Sequence, residues 1–76
     1  MESERTIRVQ FGSAATCAEA ELHLSVANPD FEFYVRQDVD PTALFIDVLP
    51  RAVFRVTSKV TRSLRDRQLL AHVCLD

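Results

Sequence analysis

The hydrophobic pattern starts with a period of two. From Thr6 to Phe11, the apolar Ile7, Val9 and Phe11 alternate with Arg8 and Gln10, as in a strand with one face buried. Met1 to Arg5 is polar and is expected to fray. Gly12, the only glycine of the chain, stands at the strand exit, where a turn is needed. Ser13 then reads as a helix N-cap ahead of alanine-rich positions.

Ser13 to Ala27 carries two patterns. Ala14 to Glu21 favours helix by propensity. Leu22-His23-Leu24-Ser25-Val26 alternates as a strand would. The length and the alanine content favour a helix, on which Thr16, Glu19 and His23 line a polar ridge. Asn28-Pro29-Asp30 ends the element in either case, because the residue before proline is pushed out of the helical region. Phe31 to Val35 and Ala43 to Leu49 read as strands. Phe31, Phe33 and Val35 share one face of the first, and Leu44, Ile46 and Val48 one face of the second. The turn-forming Gln37-Asp38-Val39-Asp40-Pro41 between them predicts an antiparallel hairpin.

After Pro50, residues 51–75 contain neither glycine nor proline. At 3.6 residues per turn, Val53, Val56, Val60, Leu64, Ala71, Cys74 and Leu75 fall in one sector, while Arg51, Arg55, Lys59, Arg62 and Arg65 fall opposite. This predicts one long basic amphipathic helix. The competing reading takes Phe54 to Thr61 as a strand, Arg62 to Arg67 as a loop and Gln68 to Leu75 as a final strand. It gives an all-β, six-stranded sandwich, but it leaves one glycine to serve five connections. The favoured order is therefore β-α-β-β-α: a single two-layer α+β domain over residues 1–76, with a three-stranded antiparallel sheet and two helices on one face.

Composition narrows the function classes. A chain of 76 residues buries only about 60% of its unfolded surface, and domains this small often gain stability from a partner. At 47% hydrophobic residues it has enough apolar material for a core. No run reaches the roughly 20 apolar residues of a membrane span, and the charged Met1 to Arg5 does not resemble a signal peptide. The net charge of -2 hides an asymmetry: residues 1–50 hold nine acids and three bases, and residues 51–67 hold six bases and one acid. Two contact surfaces of opposite sign are expected.

Candidate chemistry is sparse. Cys17 and Cys74 read as reduced intracellular thiols rather than a disulfide. With His23 and His72 they lack the spacing of zinc-ligand pairs. No Cys or Ser lies in a nucleophile motif, and one glycine cannot build a phosphate loop. No catalytic residue, cofactor or metal is expected. The specific surface feature is the ridge Arg51, Arg55, Lys59, Arg62 and Arg65, suited to a nucleic-acid backbone, an acidic protein or solvent. Val53, Phe54, Val56, Val60 and Leu64 are the candidate dimer or partner-binding residues.

Several short motifs taken together resemble a known family. They are Phe11-Gly12-Ser13 at the first strand exit, Ala18-Glu19-Ala20-Glu21-Leu22 followed by Asn28-Pro29-Asp30, and Val53-Phe54-Arg55-Val56 opening the last helix. In these and in its size and element order, the chain resembles the small dimerising Pcc subunit of the KEOPS (EKC) complex, the family that includes the CTAG and LAGE antigens. The resemblance implies a non-catalytic, cytoplasmic or nuclear homodimer. It would hold the catalytic subunit of a complex that transfers threonylcarbamoyl to an adenosine of tRNA. It also implies a role for Arg55 in the helix-opening step, and contact of the basic ridge with tRNA.

Overall fold

A computed structural model describes residues 3–76, so the expectation for Met1 and Glu2 lies outside the described residues. The order is β1 (Arg5–Gln10), α1 (Ala14–Ala27), β2 (Tyr34–Arg36), β3 (Asp40–Val48), a 3-10 turn (Pro50–Ala52), α2 (Val53–Asp66) and β4 (His72–Leu75). The sheet has four strands, in the order β2-β3-β1-β4, and every pairing is antiparallel. This is two interleaved split β-α-β units, the ferredoxin-like arrangement. The domain is α+β, as the pattern of the chain indicates, with one strand more than expected.

The additional strand corrects the reading of residues 51–75. The helix stops at Asp66, and its end is a Schellman motif. Leu69 N–H donates to Leu64 C=O at 2.9 Å, and Gln68 N–H donates to Arg65 C=O at 3.0 Å. Gln68 holds the left-handed conformation this requires, with φ of 57°, where glycine is the usual occupant. Leu69 and Leu64 line one concavity there, the apolar contact that accompanies the motif. The chain then turns back and β4 pairs with β1, matching Ile7 with Leu75 and Val9 with Val73. Ala71, Cys74 and Leu75 therefore do not extend the helical sector. The final strand of the competing all-β reading is present, but within an α+β sheet.

β1 begins at Arg5, so this residue is ordered rather than frayed. Ile7 and Val9 point to the helical layer and meet Leu44, Ile46 and Val48 of β3 and Val56, Val60 and Leu64 of α2. α1 adds Cys17, Ala20 and Leu24. Ser13 caps α1, its Oγ accepting from Thr16 N–H at 3.1 Å. Gly12 has no positive φ, and a Cβ added to it would meet nothing within 4 Å. The turn thus uses no freedom peculiar to glycine. Phe31 and Phe33 lie before β2, packed against the core rim as an edge-to-face pair 6.2 Å apart.

The opposite sheet face is covered by side chains instead of a second layer. Phe45 lies under Tyr34, stacked at 5.7 Å, and under the Arg36 guanidinium at 4.1 Å. Cation–π attraction and ring stacking keep Phe45 buried on a face that no helix covers.

Candidate functional site

The five cations of the ridge are all exposed. Arg55, Lys59, Arg62 and Arg65 project from α2, and Arg51 from the 3-10 turn before it. Their spacing, of three or four residues, keeps them on the outer side of the helix, away from Val56, Val60 and Leu64. None has an intramolecular ion-pair partner: among the described residues the one ion pair is Arg36–Asp76, at 3.7 Å. Lys59 lies 5.8 Å from the Phe31 ring. The ridge is thus a field of uncompensated positive charge.

The proposed partner-binding set divides. Val56, Val60 and Leu64 are buried in the chain's own core and offer no surface to another molecule, which corrects their assignment to an interface. Val53 is half-buried. Phe54 is 83% exposed and is the member of the set open to a partner.

The pattern reading missed a second apolar surface, on α1. Beside its buried side of Cys17, Ala20 and Leu24, α1 carries Ala15, Ala18, Leu22 and Val26 on the outside. Leu22 is 72% exposed and Val26 82% exposed. Spacings of three and four residues align these four side chains. The available signal was the absence of a polar side: the expected polar ridge of Thr16, Glu19 and His23 covers only a narrow sector. A helix apolar on two sides has one side to spare for another molecule.

The two helices meet through His23. Arg67 Nε–H donates to His23 Nδ1 at 3.2 Å, which selects the tautomer protonated at Nε2. That nitrogen donates to the Ser63 carbonyl at 3.2 Å, satisfying one of the carbonyls left open near the end of α2. Asn28 Nδ2 also reaches Ser63 Oγ, at 3.5 Å. His23 is thus an interhelical brace between the apolar stripe of α1 and the basic helix.

The acidic half forms its own concavity. Glu4, Asp30, Glu32 and Asp47 line it together with Phe31, Phe33 and Tyr34. Asp47 accepts from Thr6 Oγ1 at 2.6 Å and from Tyr34 OH at 3.1 Å. At the start of β3, Asp40 accepts from the Thr42 hydroxyl and from Thr42 N–H. These bonds, the hydroxyl's first, hold its carboxyl below the usual aspartate range.

The cysteines occupy different environments. Cys17 is buried among core residues, and burial pushes its thiol up from the ordinary value. Cys74 accepts a hydrogen bond from Arg8 Nη2 at 3.6 Å. Both are free thiols. Neither is brought to His23 or His72 in a nucleophile–base arrangement, and among the described residues no three His, Cys, Asp or Glu side chains converge as a metal site. No helix among the described residues is long and apolar enough to cross a membrane.

The arrangement is therefore built of surfaces: a cationic helix, an apolar stripe on the neighbouring helix and an acidic recess. No family model, curated protein or solved structure matches the chain.

Proposed function

We propose that the chain is a non-catalytic scaffold subunit that docks a partner onto its helical layer. The observation that carries this reading is the outward stripe of Leu22 and Val26 on α1, beside the unpaired cations of α2. Leaving two large aliphatic side chains in water forgoes roughly 1.5–3 kcal/mol each, and a partner that covers them recovers it. A partner helix with an apolar side and an acidic flank satisfies both helices at once. The apolar side covers Leu22 and Val26, and the acids meet Arg67, which lines the same concavity.

The resemblance to the Pcc family supplies the identity of such a partner: the catalytic subunit of the threonylcarbamoyl-transferring complex that acts on tRNA. The order strand, helix, hairpin, helix over residues 5–66 supports that reading, as does the placement of both helices on one face of the sheet; β4, which follows α2, departs from it. In this role Arg55 and its neighbours assist tRNA through charge, and homodimerisation completes the subunit.

The test is co-expression with the catalytic subunit. The expected result is co-purification that Leu22→Asp with Val26→Asp abolishes while the fold is kept. A wild-type chain that never retains that subunit would overturn the reading. Charge reversal at Arg55, Lys59 and Arg62 tests the ridge: a salt-sensitive tRNA shift should disappear, and an unchanged shift would remove the ridge from tRNA contact.

A further inference from the structure

The two edges of the sheet are not equally protected. β2 is three residues long, carries a register shift between Tyr34 and Arg36, and lies among the charged Glu32, Arg36 and Asp38. Short length, irregularity and charge are the usual guards of an edge. β4 is also short, at four residues, but it has neither of the other two. The stretch Leu69 to Leu75 contains no charged residue and no proline, and its pairing with β1 is regular.

The outward groups of β4 follow from its register. Asp76 N–H donates to Thr6 C=O, so residues 72, 74 and 76 turn their backbone groups toward β1. Val73 and Leu75 therefore turn N–H and C=O to the open edge. Beside that edge, on the helical side, two apolar concavities adjoin and share Val73. One is lined by Val53, Phe54, Thr57 and Leu75, the other by Thr61, Leu64, Leu69 and Leu70. Leu70 is 88% exposed. Arg65 lines the second concavity, and Arg51 follows Pro50, which lines the first.

We infer that the β4 edge accepts an extended segment of an acidic partner protein as a fifth strand, with alternate apolar side chains seated between β4 and α2 and its carboxylates toward the arginines. Backbone bonds at Val73 and Leu75 supply the pairing, and the groove supplies side-chain selection. Charge decides the occupant. Residues 51–67 hold six bases and one acid, which attracts an acidic strand and repels a basic one. A second copy of β4 would bring a second basic helix alongside the first and contribute Asp76 as its one acid.

The experiment uses the full chain and two fluorescent peptides, one alternating valine with glutamate and the other alternating valine with lysine. Anisotropy should show saturable, salt-sensitive binding of the glutamate peptide, with the lysine peptide at least about tenfold weaker. Val73→Pro removes an outward N–H without touching a β1 bond and should abolish binding. Leu75→Glu places on the edge a charge that repels the glutamate peptide and should do the same, so the conclusion does not rest on one variant folding. Equal binding of both peptides, binding unchanged in both folded variants, or no binding by the folded wild type would overturn the inference. So would a concentration-dependent dimer that Val73→Pro dissociates, which would assign the edge to a second copy.

Discussion

The two helices are each 14 residues long and lie on the same face of the sheet, yet they divide their surfaces differently. α2 is apolar on one side and cationic on the other; its inner residues are fully committed to the core. α1 is apolar on both sides, and the outer one is left in water. In α2 the pattern explains the helix's own folding, with Phe54 the large apolar side chain it leaves in water. In α1 it leaves apolar area unexplained by folding, and that excess marks the surface available for assembly. The ends differ as well. α1 begins with a side-chain cap from Ser13, whereas α2 begins on a 3-10 turn with no side-chain cap and ends on a strained Gln68.

The sharpest way to break this comparison is to truncate the two sides of α1 separately. Leu24→Ala should cost about 2–5 kcal/mol in urea unfolding, because Leu24 is fully buried. Leu22→Ala should change stability by no more than about 0.5 kcal/mol. Equal losses would mean that the outer stripe contributes to the domain's own stability. Next in size, Ser13→Ala should cost about 1 kcal/mol through the lost bond to Thr16 N–H; α2 has no equivalent side chain to remove. Gln68→Gly should act in the opposite direction. It relieves a left-handed residue and should raise stability by about 1 kcal/mol, read as a higher urea midpoint.

The smallest effect belongs to neither helix. Asp40 has a lowered pKa in the folded chain, so its contribution is present above the ordinary aspartate value of about 3.9 and is lost as pH falls through the folded value. Asp40→Ala should therefore be slightly less stable at neutral pH. Its deficit should close on acidification, as followed by thermal unfolding from pH 7 downwards. A deficit that stayed constant into acid would point to packing rather than to the Thr42 bonds.

Much of the fold is legible in the chain. Ile7 and Val9 alternate with Arg8 and Gln10 because one face of β1 is buried. Leu44, Ile46 and Val48 mark the same face of β3, Pro29 falls just after α1 and Pro50 opens the 3-10 turn, whereas Pro41 lies inside β3. The end of α2 was hidden for a physical reason. Its stop uses Gln68 in a conformation that sequences usually announce with glycine, while Ala71, Cys74 and Leu75 continue the helical spacing by coincidence. The alternation of His72 and Cys74 with Val73 and Leu75 was the competing signal, and pairing with β1 decided in its favour. The basic ridge was legible because charge on a helix needs only spacing. The outer stripe of α1 was not, because Leu22 and Val26 look like core residues until the position of the sheet is known.

The pairing of β1 with β4 also has a kinetic consequence. Arg8 and Cys74, which meet across it, are 66 positions apart. Closing this loop costs somewhat more entropy than closing the shorter one between β1 and β3, so this ladder should form after the hairpin and the helices have collapsed. Its four-residue outer strand should also be the first part of the sheet to detach. In native-state hydrogen exchange, the β4 amides that bond to β1 should lose protection by a local opening, while those between β1 and β3 wait for the whole domain to unfold.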